Sequence, residues 1–343
     1  MFVRTAASGR RAGRGEPARV QLLVVGAGPS GLAVGVAARR AGLSCLLLDR
    51  GPIVNTIERY PLGMTFFSTP EKLEIGEVPF VVSRDKPSRS EALSYYRRVA
   101  EHFDLAVRPY SQVTRLEPTA GGFRVRALPL GRTPVEYFAE FVVLATGRFD
   151  VFNPLGAEGE ELSKVSHYFR EAHVYSGQEV LVVGGGNSAV EAALACWRAG
   201  AGVTLTHLFD KFDQGVKPWV LPDIRNRIEE GAVTALWRHR VERIVPEQVQ
   251  LRDLVTGRER RLANDWVLAM TGYRPDYSLL EGAGAEIGED GTPLFRAETL
   301  ETTVPGLYVA GTLAAGLESG KIFIENGRHH GAAIVRHIET CAR

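Results

Sequence analysis

A chain of 343 residues, 45% hydrophobic and 24% charged, is long enough for about two globular domains, each with its own core. A formal net charge of +1 leaves no basic footprint and excludes nucleic acid as the expected partner. The three cysteines, Cys45, Cys196 and Cys341, are too far apart for a CxxC pair, a metal-ligand pattern or a disulfide framework, so a reducing, cytoplasmic setting is expected.

The first 19 residues carry five arginines and precede an uncharged run over 20–38, in the manner of an export signal. Gly26, Gly28, Pro29, Gly31 and Gly35 interrupt that run, and they suit a strand, a turn and a helix better than a membrane span. Residues 1–19 are therefore expected to be a disordered tail, or to precede the true start, and the protein to be soluble without a membrane segment. Residues 21–25 read as a strand, 32–40 as a helix stopped by Gly42, and 44–48 as a second strand closed by Asp49. A hairpin follows at 112–116 and 123–127, and then a buried strand over 141–147 that ends in Thr146-Gly147. The Pro- and Gly-containing stretch 152–160 is a natural linker.

After 158 residues the first unit returns: strand 179–183, helix 188–198, Gly200 as its stop, strand 203–206. A hairpin at 241–245 and 248–254 and a strand running into Thr271-Gly272 complete the repeat. Residues 302–312 form a further strand, and 322–339 a helix-like segment. Having no glycine loop of their own, they are assigned to the first domain. The expected fold is α/β, with two Rossmann-like three-layer nucleotide-binding domains, 20–153 with 278–343 and 154–277.

The glycine loops carry the chemistry. Gly26-x-Gly28-x-x-Gly31, with Pro29 and Ser30 inside it, lets a pyrophosphate approach the backbone and points helix N–H groups at its charge. Asp49, 23 residues after Gly26, can accept from ribose hydroxyls. The second loop reads Gly184-x-Gly186-x-x-Ala189, with Asn187 and Ser188, and the same spacing ends on His207. A carboxylate there would repel the 2′-phosphate of NADPH, whereas a histidine can donate to it, so NADPH is expected over NADH. One loop is expected to hold FAD and the other the nicotinamide dinucleotide, with hydride passing between them.

With both loops, both Thr-Gly turns and GLYVAG (306–311) in order, the chain resembles the thioredoxin reductase-like flavoproteins from about residue 20 to its end. Within them, IVNTIERYPLGMTFFSTPEKLEIGEVPF (53–80), KPWVLPD (217–223) and IFIENGRHHG (322–331) are similar to the YpdA-type bacillithiol disulfide reductases. The resemblance implies a homodimeric FAD enzyme that passes hydride from NADPH to a low-molecular-weight disulfide such as bacillithiol disulfide. Together with the loops it gives candidate FAD contacts at Gly26, Gly28, Pro29, Ser30, Gly31, Asp49, Arg50, Phe67, Ser68, Thr69, Val113, Ala145, Thr146, Gly147, Gly311, Thr312 and Ile322. The candidate NADPH contacts are Gly184, Gly186, Asn187, Ser188, Ala189, His207, Thr271, Gly272 and Arg274. His330, which matches a histidine of the family, and its neighbour His329 are the candidate proton donors; Glu325 and Arg328 share their segment.

The chain departs from these patterns in three places. In VSHYFRE (165–171), Tyr168 and Glu171 stand where thioredoxin reductases carry their two cysteines; Ser30 replaces the YpdA-type cysteine, and Thr312 replaces a flavin-binding aspartate. A serine hydroxyl does not attack a disulfide, so electrons are expected to reach the acceptor from the flavin directly or through an external thiol. TPEKLEIGEVPF (69–80) is also similar to thioredoxin reductase-like ferredoxin–NADP reductases, which makes electron transfer to a small redox protein the alternative. A flavin monooxygenase lacks a clear fingerprint in the second domain, and a slow, non-catalytic redox sensor would be separated by a turnover assay.

Overall fold

The computed structural model of the chain describes residues 18–317 and 320–341, so most of the expected tail, 1–17, lies outside the described residues. Its last two positions are ordered otherwise than expected. Ala18 and Arg19 open the first strand, Ala18–Val25, and pair in parallel with Tyr137 and Phe138. The Arg19 guanidinium lies 4.6 Å from the Phe138 ring, a contact that extends the strand beyond the apolar run.

Continuous apolar runs dictate a sheet covered on both faces. Val107–Arg108, Cys45–Leu48, Ala18–Val25 and Val135–Leu144 lie side by side in parallel. Leu22 and Val24 face one core cluster, Leu23 and Val25 the other. The far edge of Val135–Leu144 is divided. Its beginning pairs antiparallel with Gly122–Pro129, half of a hairpin with Ser111–Thr119, and its end pairs in parallel with the C-terminal strand Leu307–Val309.

The first-loop helix, Pro29–Arg40, packs against His330–Cys341. A Cβ at Gly331 would stand 2.6 Å from the Ala33 carbonyl oxygen, so the helices meet backbone to backbone there. Ile334, Val335 and Ile338 are buried in this seam, each worth roughly 1.5–3 kcal/mol.

The single helical segment expected over 322–339 is instead two helices, Ile324–Gly327 and His330–Cys341. Long-range contacts set the break. Arg328 Nη1 donates to the carbonyls of Glu71 (2.5 Å) and Glu74 (2.9 Å), while a Cβ at Gly327 would stand 2.9 Å from Ser30 Oγ.

The second sheet is all parallel, in the order Val233–Trp237, Gly202–His207, Glu179–Val183, Trp266–Ala269, Val165–Ser166, with helix Asn187–Arg198 following its glycine loop. The expected hairpin gains a third strand, giving His239–Val245, Gln248–Asp253 and Glu259–Ala263. A two-stranded ladder, Val151–Phe152 with Tyr273–Arg274, ties the stretch after the first sheet to the one after the second.

Candidate functional site

The two glycine loops have the same construction in space. A Cβ at Gly26 would run into the carbonyl oxygen of Ala145, and one at Gly184 into that of Met270, so in each copy the loop crosses tightly over the end of the strand that carries the Ala-Thr-Gly or Met-Thr-Gly turn. Gly28 and Gly186 cap helices Pro29–Arg40 and Asn187–Arg198. Neither helix has a side-chain cap or an acid in its first turn, so both present N–H groups and a positive dipole end to the loop. Space beside Gly28 is open to 4 Å, which suits a phosphate.

Around the first loop, Asp49 Oδ2 accepts from the Ala27 N–H (2.7 Å) and Oδ1 from the Gly51 N–H (2.8 Å). Burial raises its carboxyl, and those hydrogen bonds oppose the shift. Arg50 turns aside to form, with Arg59, an ion-pair cluster on Asp150. Pro29 and Gly31 lie in the helix's first turn. Ser30 points at the C-terminal segment, its Oγ 2.7 Å from where a Cβ on Gly311 would be.

Thr312 Oγ1 lies 3.6 Å from the Cβ position of Gly147, next to Thr146 and Ala145, and Ile322 packs near Gly327. Ser30, Gly147, Gly311, Thr312 and Gly327 therefore converge into a cradle of small residues. Ser68 donates to Glu325 at its side, and Thr69 stands at the N-cap position of the short helix Pro70–Leu73 without a side-chain cap. Val113 is buried in the core shared with Val25 and Leu48.

The two candidate histidines part company. His330 Nδ1 accepts from the Gly311 N–H (3.1 Å), and burial, with His329 close by, lowers its pKa. Its neutral ring thus carries the proton on Nε2. His329 is exposed and receives a hydrogen bond from Arg328 Nε at 3.3 Å.

At the second loop Ala189 replaces the third glycine and is fully buried, its Cβ 3.3 Å from the Cβ position of Gly184. Asn187 is engaged by the loop that follows strand Gly202–His207: its Nδ2 donates to the Gly215 carbonyl (2.9 Å) and its Oδ1 accepts from the Lys217 N–H (2.9 Å). Thr271 Oγ1 donates to the Asn153 carbonyl (2.5 Å), which locks the Thr271-Gly272 turn to the crossover between domains; Arg274 is exposed beyond it. His207 is buried beneath Gly185, with Asp213 beside it.

Between residues 60–67 and the second loop lies a cleft of about 760 Å³, lined by Ser188 and by residues that sequence reasoning did not single out as a set, among them Lys86, Glu191, Trp219 and Tyr273. Burial raises the Glu191 carboxyl. Across the cleft's mouth Phe67 meets Trp219 edge to face at 5.6 Å, with Lys86 Nζ 4.5 Å from the Trp219 ring and Lys217 Nζ 5.6 Å from the Phe67 ring. Tyr168 and Glu171 are no dithiol surrogate: Tyr168 stacks on Tyr273 and donates to the Phe149 carbonyl (3.1 Å), and Glu171 lines the cleft. The signal for Trp219 lay in KPWVLPD, whereas Lys86 and Asp150 come from loops without a motif.

The family described as pyridine nucleotide-disulphide oxidoreductase matches residues 23–311. The bacilliredoxin reductase Bdr of Bacillus subtilis is 39% identical over 321 residues, 92% of this chain and 96% of that protein. The bacillithiol disulfide reductase Bdr (YpdA) of Bacillus cereus superposes with a TM-score of 0.92 at 37% identity, covering 94% of this chain and 99% of that one. A thioredoxin reductase from T. acidophilum, 21% identical with a TM-score of 0.74 over 94% and 99% of the two chains, shares the fold.

Proposed function

We propose a function from one premise: the chain belongs to the pyridine nucleotide-disulphide oxidoreductase family, in the branch of the bacilliredoxin reductase Bdr. It is a flavoprotein oxidoreductase that uses a flavin and a pyridine nucleotide. On our reading the flavin is FAD at the first loop, with NADPH or NADH at the second, a choice that turns on residues 207 and 213. The acceptor is a low-molecular-weight disulfide of the bacillithiol kind. One reduced dinucleotide, one proton and one disulfide give the oxidised dinucleotide and two thiols.

The observation that carries the reading is the doubled loop, with a cleft beside the second copy that residues 60–67 of the first unit close. FAD fits the first copy because the helix N-terminus at Gly28 is open, Asp49 stands at the ribose edge, and small residues at 30, 147, 311 and 312 gather beside the loop. When bound, FAD supplies the hydride-accepting chemistry. The chain's own residues then hold and orient: His330 keeps a proton on Nε2 beside the Gly311 turn, and Phe67 and Trp219 meet across the cleft.

The reading requires no protein thiol. Burial pushes both the Cys45 and Cys196 thiols up to about 12, so neither is a thiolate at neutral pH, and Ser30 occupies the first loop. The same reading takes the protein as a cytoplasmic homodimer, supported by its free cysteines and by the family resemblance. Among the described residues no helix is long and apolar enough to cross a membrane.

The test is anaerobic stopped-flow reduction of the flavoprotein by the nicotinamide dinucleotide, followed by reoxidation with bacillithiol disulfide or with oxidised ferredoxin. Fast reoxidation by the disulfide is expected; reoxidation by ferredoxin alone would move the protein to single-electron transfer.

A further inference from the structure

The repeat identifies the ribose edge of the second loop without a bound nucleotide. In the first copy that edge is marked by Asp49, whose carboxylate accepts from the backbone of Ala27. The equivalent pair in the second copy is His207 and Gly185, and they are packed so closely that a Cβ on Gly185 would collide with the imidazole. His207 is about nine-tenths buried, and its Nε2 makes no hydrogen bond. A carboxylate nonetheless stands there. Asp213 Oδ1 is 3.3 Å from His207 Nε2, without hydrogen-bond geometry, and its Oδ2 lies 3.3 Å from the Cβ position of Gly186.

Backbone geometry fixes this placement, because the Asp213 N–H donates to the Gly185 carbonyl at 3.0 Å and Asn187 clasps the same segment from the helix. Two of the basic groups nearby are engaged elsewhere, Arg238 with Asp210 at 2.7 Å and Lys217 over Phe67, while Lys211 lies exposed next to Asp210. The two residues that continue the strand end, Leu208 and Phe209, are exposed and apolar.

We propose that Asp213, set beside His207 on the second glycine loop, selects a nicotinamide dinucleotide with an unphosphorylated ribose, making NADH the preferred reductant. The proposal rests on the second loop being the nicotinamide site. A ribose hydroxyl donates to the half-exposed Asp213 carboxylate, which the buried His207 ring backs from beneath. A 2′-phosphate brings up to two negative charges and three acceptor oxygens against the Asp213 carboxylate. The sequence spacing, which finds no acid at 207, points to NADPH; the acid arrives from six residues further on.

The test uses flavin-loaded protein and two readouts. Calorimetric titration with ADP-ribose and with its 2′-phosphorylated form measures the edge without any hydride chemistry, and anaerobic flavin reduction by NADH and NADPH measures it with the nicotinamide in place. The expected result is a preference of about tenfold or more for the unphosphorylated partner in both, narrowed about tenfold by Asp213→Asn and reversed by Asp213→Arg. Tighter binding of the phosphorylated form by the parent protein, or a preference unmoved by Asp213→Asn, would overturn it. Binding of neither analogue would overturn the second loop as the nicotinamide site, and this proposal with it. Failure of a disulfide to reoxidise the flavin leaves both readouts intact and touches only the acceptor.

Discussion

At the third glycine position the two loops differ by a single methyl group, Gly31 against Ala189. A Cβ at position 31 would run into the carbonyl oxygen of Gly26, whereas Ala189 already carries its Cβ against Gly184. Gly31→Ala is therefore expected to destabilise the protein by about 2 kcal/mol or more and to lower its flavin content, while Ala189→Gly costs only about 1 kcal/mol, read by thermal unfolding and by the flavin absorbance. A second residue-scale effect comes from His330 and His167, whose pKa values are both lowered from 6.5 by burial, with Glu160 opposing the shift at His167. The unfolded chain takes up protons more readily than the folded one as pH falls below about 6.5, so stability falls on the acid side and is level above it. His330→Gln should flatten that acid limb in a urea series and leave the part due to His167; an unchanged slope would remove His330 from the account. Asp49 was legible in the sequence because a strand end and a fixed spacing locate it. Asp213 was not, because a loop brings it to the same edge, and the engagement of Asn187 with Gly215 and Lys217 was hidden for the same reason.

Among the elements, those that follow from local pattern were readable: both strand–loop–helix units, both hairpins and the strands running into Thr146 and Thr271 lie where hydrophobic runs and glycines put them. Glu259–Ala263 escaped notice because its sequence, ERRLA, is mostly exposed and charged, and its place is set by pairing with Gln248–Asp253. The break between Ile324–Gly327 and His330–Cys341 escaped because its causes, the Glu71 and Glu74 carbonyls and Ser30, are some 250 or more residues away in the chain. That break lies beside the proposed site: Gly327 before it packs on Ser30 and Gly311, and His330 after it accepts from the Gly311 N–H. Arg328→Ala removes both clamps from the short helix while leaving the His330–Cys341 seam intact. The expected result is a modest loss of stability, about 1–3 kcal/mol, with markedly faster release of flavin on dilution into mild denaturant. Flavin retention equal to that of the parent would show that the seam alone holds the segment.

For the molecule as a whole, the sheets are joined in two ways of different strength. On one side the ladder Val151–Phe152 with Tyr273–Arg274, the stack of Tyr168 on Tyr273 and the hydrogen bond from Arg148 to the Tyr273 carbonyl (2.6 Å) form a dense hinge. On the other, the cleft's mouth is closed by the Phe67–Trp219 edge contact and two cation–π contacts, and Trp219 remains 53% exposed. Contacts of this kind contribute about 0.5–1.5 kcal/mol each, small enough for thermal opening, whereas the hinge combines backbone pairing with stacked, half-buried rings. A nucleotide at the second loop and a disulfide must both reach the cleft, so the mouth is where the molecule is expected to yield. Trp219 then reports its own motion: nucleotide binding should change its fluorescence, and Trp219→Phe should abolish that change while shifting the unfolding temperature by only a few degrees. If the variant keeps the full fluorescence response, the signal comes from Trp197, Trp237 or Trp266, and the mouth stays closed when the nucleotide binds.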